Sequence, residues 1–424
     1  MNVLLLGSGG REHAIAWKTR QSPELTKLFW APGNAAAEEM GVAVHLDSMD
    51  FEAVEKFCLE HAIDMIIVGP EAPLVTGITD HFNNSEKAAH IHIIGPDKKG
   101  ALLEGSKSFA KVFMERHHIP TAKYREFTAD DLEEALIYLD TIDPPFVLKA
   151  DGLAAGKGVV ILENRDEAKA ETREMLSGKF GDASKKLVIE AFLKGIEFSV
   201  FALTDGKNYV LLPEAKDYKR IGENDTGLNT GGMGAVSPVP FYNESLKRKV
   251  IERIVEPTIN GLQQDGIEYK GFVFFGLIDV DGDPYVIEYN CRLGDPESEV
   301  IIPRIESDWL PLFRSLKDQT LDEHSIQFTQ GYSTTVMLVS GGYPESYEKG
   351  KIIAGIDEAD DDVIVFHAGT KKVNDDIVTN GGRVIALTGQ GSTMDAALAK
   401  SYQAAETVDF QKKYYRRDIG KDLK

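Results

Sequence analysis

The stretch that most constrains this chain is Gly271 to Glu297, GFVFFGLIDVDGDPYVIEYNCRLGDPE. Two apolar runs, Phe272–Ile278 and Tyr285–Tyr289, flank Asp281-Gly282-Asp283-Pro284, and this pattern predicts two strands joined by a turn. Side chains alternate faces along a strand, so Glu288 and Asn290 share one face, and Arg292 follows on it if the extended geometry persists. A carboxylate and an amide are hard oxygen donors suited to Mg²⁺, and a guanidinium matches phosphate. The pattern therefore fits a nucleoside triphosphate site; the alternative is a polar cap on a sheet edge.

The 424 residues are enough for about two to four domains. A hydrophobic share of 42% and a charged share of 27% are those of a soluble globular chain. A net charge of −21 argues against nonspecific nucleic-acid binding, although a local basic pocket can still hold a phosphate. No apolar run approaches the ~20 residues that span a bilayer, and the chain opens directly on a strand, Val3–Leu6, without a signal-peptide pattern. Two cysteines, Cys58 and Cys291, are too few for a disulfide framework and point to a reducing cytoplasm. Cys291 has no histidine near it in sequence and reads as a packing residue rather than a nucleophile.

The first hundred residues alternate strand and helix. The compact runs Val3–Leu6, Ile63–Val68 and Ile91–Ile94, each followed by a glycine turn, predict a doubly wound parallel sheet with its ligands at the carboxyl ends of the strands. Those ends are Gly7 to His13, Pro32-Gly33-Asn34, Gly69-Pro70-Glu71 and Gly95-Pro96. A dinucleotide fingerprint fails, because Glu12 stands where its third glycine belongs and no acidic residue follows Phe29-Trp30. A glycine turn opening a helix still offers free N–H groups to a small phosphorylated substrate; the alternative is a tight turn with no ligand.

Residues 100–120 carry one helical pattern that Pro120 ends, and Asp130–Leu139 is a second amphipathic helix. The strand Phe146–Lys149 runs into a glycine loop, Asp151 to Gly158, and then Val159–Leu162. The loop is one residue short of a Walker A sequence and lacks its Ser or Thr, so it reads as a loop between two strands that closes over phosphates, or as an inert hairpin. After a helix at 166–177, the strand at 187–193 and the strand at 195–200 carry Glu190 and Glu197, which edge an adenine and its ribose or else sit on a solvated strand face. Asp217 to Gly234 is polar, glycine-rich and long, which favours an irregular substrate loop over a linker. From about Gln327 onward the pattern is a small α+β domain, with strands at 332–340, 363–368 and 383–387 and a helix at 393–407. The basic run 412–417 reads as a solvated helix end. His90, His92, His117 and His118 read as surface or packing residues, and the Asp279–Asp283 run as a hairpin turn rather than a calcium loop.

The order Lys149, glycine loop, Glu190 to Glu197, Glu288-x-Asn290 resembles the ATP-grasp superfamily. The segments GSGGREHA, GPEAPL, ADGLAAGKGV, DTGLNTGGMGA, EYNCRLGDPE and SGGYPESYEKG, spread over essentially the whole chain, are similar to those of its phosphoribosylamine–glycine ligase family. The resemblance implies a multidomain α/β and α+β chain. It places an amino-terminal substrate domain at 1–101, an ATP-grasp core at 102–122 and 188–326, a lid at 123–187 and a small α+β domain at 327–424. It also implies ATP-dependent ligation of glycine to 5-phosphoribosylamine, through glycyl phosphate, in purine biosynthesis.

By the same resemblance Lys107, Lys149, Gly152, Gly156, Lys157 and Gly158 meet the ATP phosphates. Glu190, Phe192 and Leu193 line the adenine, and Glu197 the ribose. Glu288 and Asn290 hold Mg²⁺ or Mn²⁺; Arg292, Lys149 and Asp295 act at the reacting groups. Asp225, Asn229, Gly231, Gly232, Met233 and Asp295 hold glycine, and Gly9, Gly10, Arg11, Glu12, Asn34, Pro70 and Glu71 hold phosphoribosylamine. Many superfamily members carry a further metal-binding carboxylate near position 276, where this chain has Gly276, which makes Glu288 the chief ligand. The resemblance further implies a cytoplasmic monomer with no membrane or nucleic-acid partner and a transient contact with the preceding pathway enzyme. Two rivals remain at this stage: another ATP-grasp ligase or carboxylase with a different acid, and a non-catalytic nucleotide-binding regulator.

Overall fold

The short apolar runs of the first hundred residues pair side by side in parallel. In this computed structural model, which describes residues 1–153 and 158–424, the spatial order is Val42–Ala43, Lys27–Pro32, Asn2–Gly7, Met65–Val68, His92–Ile94. Leu4 lies level with Phe29 on one side and Ile66 on the other. Val3, Leu4, Leu5 and Leu6 are wholly buried, as a strand covered on both faces requires. The strand order reverses at Asn2–Gly7, so the crevice between its end and that of Met65–Val68 is the switch point. Glu12 lines it, packed on two glycines: a Cβ at Gly7 or Gly69 would lie 2.6 or 2.1 Å from that side chain.

The helical pattern of residues 100–120 is divided in the structure into Lys98–Gly105 and Lys107–Arg116. Ser106 is extended between them, and its hydroxyl accepts from the Phe109 N–H (3.1 Å), a side-chain cap that restarts the helix. Beyond Pro120 a four-stranded sheet forms in the order Tyr124–Thr128, Lys186–Ala191, Phe146–Ala150, Val159–Leu162. The expected lid boundary at 187 falls inside Lys186–Ala191, which is laddered to strands on both sides. The four-stranded sheet therefore reaches Ala191.

The central antiparallel sheet runs Tyr209–Leu211, Ile196–Thr204, Gly271–Val280, Asp283–Asn290. Asp281 and Gly282 both take positive φ (53° and 85°), the two-residue turn whose twist matches a hairpin. The register shifts once, pairing Leu277 with Val286 but Gly276 with Glu288, so Ile287 is the extra residue of a bulge.

The carboxy-terminal sheet takes strands from both sides of the expected boundary at 326. Its order is Lys216–Asp217, Gly234–Ser237, Tyr332–Val339, Arg383–Gly391, Val363–His367, and the first two strands come from the segment assigned to the core. Residues 217–234 are not an irregular loop, for between those strands they form a hairpin, Arg220–Gly222 with Thr226–Asn229. A further hairpin, Thr370–Val373 with Asp376–Thr379, has no counterpart in the sequence reading. Nor is the basic run 412–417 a solvated helix end: it lies outside any helix and Arg416 is 1% exposed. The core is shared between regions, since Leu4, Leu6 and Val68 belong to one apolar cluster with Phe275, Leu277 and Val286. No helix among the described residues is long and apolar enough to cross a membrane.

Candidate active site

Every residue of Phe146–Ala150 is buried, and Lys149 is one of them. A buried ammonium needs a partner. Lys149 Nζ lies 3.0 Å from Glu190 Oε1 and donates to the Ile287 carbonyl (3.3 Å), which ties the lid sheet to the end of the central hairpin. The other oxygen of Glu190 faces Lys111 at 3.1 Å, and Lys111 also donates to Thr121 Oγ1 (2.7 Å). Burial raises the Glu190 pKa, but Lys149 and Lys111 together hold it below the usual carboxylate range. Burial drives Lys111 down to about 8, with Glu190 opposing the drop and Lys149 adding to it. One carboxylate shared between two ammoniums explains why the pair moves this way. Lys111 was not singled out from sequence, although it follows Lys107 by one helical turn and so shares its face.

Lys107 Nζ donates to the Gly152 carbonyl (3.3 Å); burial lowers its pKa, Glu288 opposes that, and Lys149 adds to it. The glycine loop is anchored at its start by Asp151, which accepts from Ser106 Oγ (3.0 Å) and the Ser108 N–H (2.7 Å). A Cβ on Gly152 would lie 3.0 Å from Ala183, a close approach that favours glycine. At the loop's far end the Gly158 carbonyl accepts from Ala150 N–H (2.8 Å). Gly156 and Lys157 lie outside the described residues.

The connector between Lys186–Ala191 and Ile196–Thr204 carries Phe192, exposed, and Leu193, half-buried. The Glu190 carboxylate is turned to the lysines instead, and its backbone lies in the ladder with Tyr124 and Val147. Glu197 pairs with Lys219 (2.8 Å), which holds its carboxyl below the usual range. Asp217, Glu197 and Glu288 all act electrostatically on Lys219. Lys219 carries no signal of its own in the sequence; it lies in the polar, glycine-rich segment 217–234 expected to be a substrate loop.

Glu288 is half-buried and Asn290 buried at the end of the central hairpin. Among the described residues no cluster of three or more His, Cys, Asp or Glu side chains is set to hold a metal. Two oxygen donors with phosphate nearby are what Mg²⁺ uses when substrate completes its shell, so the donor set fits that ion. Arg292 is held by Glu104 (2.7 Å) and Glu71 (3.4 Å), and donates to the Leu293 carbonyl (3.2 Å). Burial raises the Glu71 pKa, but Arg292 and then Arg11 bring it below the usual range. Glu104 also accepts from the Cys291 N–H (2.8 Å) and thiol (3.2 Å), and burial pushes that thiol well above its usual value. Cys291 is a packing residue.

The amino-terminal turn is already engaged. Gly9 N–H donates to Glu12 (2.5 Å) and Arg11 N–H to Asp295 (3.3 Å), so two carboxylates occupy the positive end of the helix Gly10–Thr19. A Cβ on Gly10 would sit 2.2 Å from Glu299 Oε1. Asn34 donates to the carbonyls of Ser8 (3.1 Å) and His367 (2.7 Å), and Pro70 precedes the helix Glu71–Thr76. Asp295 pairs with Arg383 (2.9 Å), a residue the sequence did not flag.

The expected amino-acid loop is divided. Asp225 is drawn to Arg416 (2.7 Å), and Met233 is wholly buried in the core. Asn229 is exposed opposite Arg220, while Gly231 and Gly232 lie against Arg383 and Pro296.

Three family signatures match in succession: Phosphoribosylglycinamide synthetase N domain over residues 1–104, its ATP-grasp (A) domain over 105–298, and its C domain over 333–422. The chain is 47% identical to the phosphoribosylamine–glycine ligase of Pasteurella multocida, over 99% of this chain and 97% of that one. It is 45% identical to that of Haemophilus influenzae, over 99% and 98%. The crystal structure of the Thermotoga maritima phosphoribosylamine–glycine ligase superposes with a TM-score of 0.85 at 35% identity, covering 99% of this chain and 100% of that one. A biotin carboxylase domain from Hydrogenobacter thermophilus gives a TM-score of 0.73 at 19% identity, covering 100% and 95%, and shares the fold. This chain belongs to the phosphoribosylamine–glycine ligase family, built on the ATP-grasp fold.

Proposed function

We infer that the chain joins glycine to 5-phosphoribosylamine at the expense of ATP, and that the observation supporting the site is the reach of Lys149 from the lid sheet to the carbonyl of Ile287 (3.3 Å), the residue before Glu288. The glycine carboxylate is a poor electrophile. It attacks the γ-phosphoryl group, ADP leaves, and a glycyl phosphate remains; the phosphoribosylamine nitrogen then attacks its carbonyl, the C–N bond forms and phosphate departs. Lys107 and Lys149 carry the positive charge that steadies the transferring phosphoryl, and Arg292 exchanges a carboxylate partner for the developing acyl phosphate. Glu197 exchanges Lys219 for the ribose hydroxyls, and the connector at Phe192 and Leu193 offers the adenine an edge. Glu288 and Asn290 hold Mg²⁺, or Mn²⁺ in its place, which when bound adds charge neutralisation at the phosphates.

Asp295, with Asn229, Gly231 and Gly232, holds the amino acid. The amino-terminal crevice takes phosphoribosylamine. Because the Gly9 and Arg11 N–H groups already face carboxylates, Glu12 and Glu71 suit its hydroxyl and amine groups better than its phosphate. The lid sheet with its glycine loop excludes water, which otherwise hydrolyses the intermediate.

Phosphate release from MgATP, with glycine and phosphoribosylamine generated in situ and each omitted in turn, tests this. Release that needs all three, with stoichiometric amide, is the expected result. Release with another carboxylate but not glycine moves the substrate, and ATP binding without turnover removes the enzyme reading.

A further inference from the structure

Tyr343 belongs to SGGYPESYEKG, a segment whose role the reaction leaves unassigned, and Arg383 follows two glycines at the start of a strand of the same sheet region. The two side chains close on one residue, Gly231, each at a different one of its two peptide groups. Gly231 N–H donates to the Tyr343 hydroxyl (2.9 Å), and the Gly231 carbonyl accepts from Arg383 Nη1 (2.6 Å). The same guanidinium donates to the Asp295 carbonyl (2.7 Å) and pairs with its carboxylate (2.9 Å). Asp295 in turn accepts from Arg11 N–H (3.3 Å), so one cation links the loop, Asp295 and the amino-terminal helix.

The fit around this grip leaves no slack. A Cβ on Gly231 would lie 2.8 Å from Arg383 Cζ, one on Gly382 2.1 Å from the Tyr343 ring, and one on Gly232 (φ +119°) 2.3 Å from Pro296. Gly231 is exposed, as are Thr226 to Asn229 before it, while Gly232 and Met233 after it are buried. Two successive glycines lose the most conformational freedom on ordering. Thr230 and Met233 tie the flanks of the turn to Lys219 and Tyr218, and at Gly231 itself the restraints come from Tyr343 and Arg383.

We propose that Arg383 and Tyr343 are positioning residues for the amino-acid substrate: the carboxy-terminal domain grips the Gly231 peptide and sets it against Asp295, and glycine affinity depends on that grip. The inference rests on the reading that this loop and Asp295 hold glycine. Neither residue touches substrate; each acts through Gly231 and Asp295.

The test is steady-state kinetics on the full chain for Tyr343→Phe, Arg383→Lys, Arg383→Gln and the double variant, beside hydrogen exchange of the unmodified chain with MgADP, with and without glycine. Tyr343→Phe keeps the ring and serves where an Arg383 variant fails to fold. Loss of these bonds should raise the KM for glycine about tenfold or more in Arg383→Gln and severalfold in Tyr343→Phe, with the ATP KM within about twofold. Arg383→Lys restores part of the loss, since a lysine keeps the charge but not the fork. The double variant is less than additive because both side chains act on one residue. Glycine protection of residues 229–233 together with wild-type glycine KM in every variant overturns the positioning role and leaves the site reading intact. No protection by glycine overturns the site reading, and the inference with it. Parallel losses in glycine KM, ATP KM and melting temperature assign the pair a purely structural part and overturn the proposal.

Discussion

Gly276 stands directly opposite Glu288 across the central hairpin, and a Cβ at 276 would come within 3.0 Å of Glu288 Cγ. The missing side chain leaves Glu288 its room. A Cβ at this position makes the Glu288 side chain give by a few tenths of an ångström.

Gly276→Ala is therefore expected to weaken activation by Mg²⁺ severalfold while the glycine KM stays unchanged. Overpacking a fitted site by one carbon costs about 1–3 kcal/mol, part of which moves Glu288. Glu288→Ala should abolish metal-dependent ATP binding. Titrating ATP binding against Mg²⁺ for both variants checks this, and unaltered metal dependence in Glu288→Ala removes the assignment.

Glu190 lies between Lys149 and Lys111, all three at most 5% exposed. Glu190→Gln leaves two buried ammoniums without a countercharge, and breaking a buried pair in this way costs about 3–5 kcal/mol. Urea unfolding should show the loss, while Glu190→Asp retains part of the stability. A glutamine variant as stable as the parent would mean that the lysines find other partners.

What the sequence made legible was local. Apolar runs, the Asp281-Gly282 turn, the lysine strand and the glycine loop each announce themselves within ten residues. What it hid was distant. Arg383 meets Asp295 across 88 positions and Tyr343 meets Gly231 across 112, and neither pair leaves a periodic trace. The hairpin at 220–229 was read as loop because Thr226 to Asn229 are all exposed, so no alternation of apolar residues marks a strand. The strand Lys216–Asp217 is two residues long and reads as nothing until its partner Gly234–Ser237 is in place. The basic run 412–417 looked solvated because its countercharges, Asp225 and Asp418, are only partly nearby in sequence.

His13 and His367 give a stability profile with a defined sign. His13 Nδ1 accepts the His367 N–H (2.8 Å), which requires a neutral ring. Burial, with His367 adding to it, takes His13 down to about 3, and burial takes His367 to about 4. Both folded values lie below the unfolded 6.5. Below that pH the unfolded chain binds protons that the folded chain does not, so stability falls as pH falls, by about 2 kcal/mol per ring at pH 5. Urea midpoints from pH 7 to 5 should drop accordingly. His13→Asn, which keeps an acceptor without titrating, should roughly halve the slope over that window, His367 supplying the rest.

Arg292 is fixed between Glu71 and Glu104, so an acyl phosphate forming beside it competes with two carboxylates for one guanidinium. Burial raises the Glu104 pKa and Arg292 opposes the rise, which makes Arg292→Ala a poor probe: it strands a buried carboxylate as well as removing a cation. Arg292→Lys keeps the charge and loses the planar fork. If the fork serves the transition state, kcat should fall about 10²–10³-fold with the ATP KM within about threefold. Equal losses in turnover and ATP affinity would place Arg292 in ground-state binding. An unchanged kcat would leave it as the strut that joins Glu71 of the amino-terminal region to the end of the central hairpin.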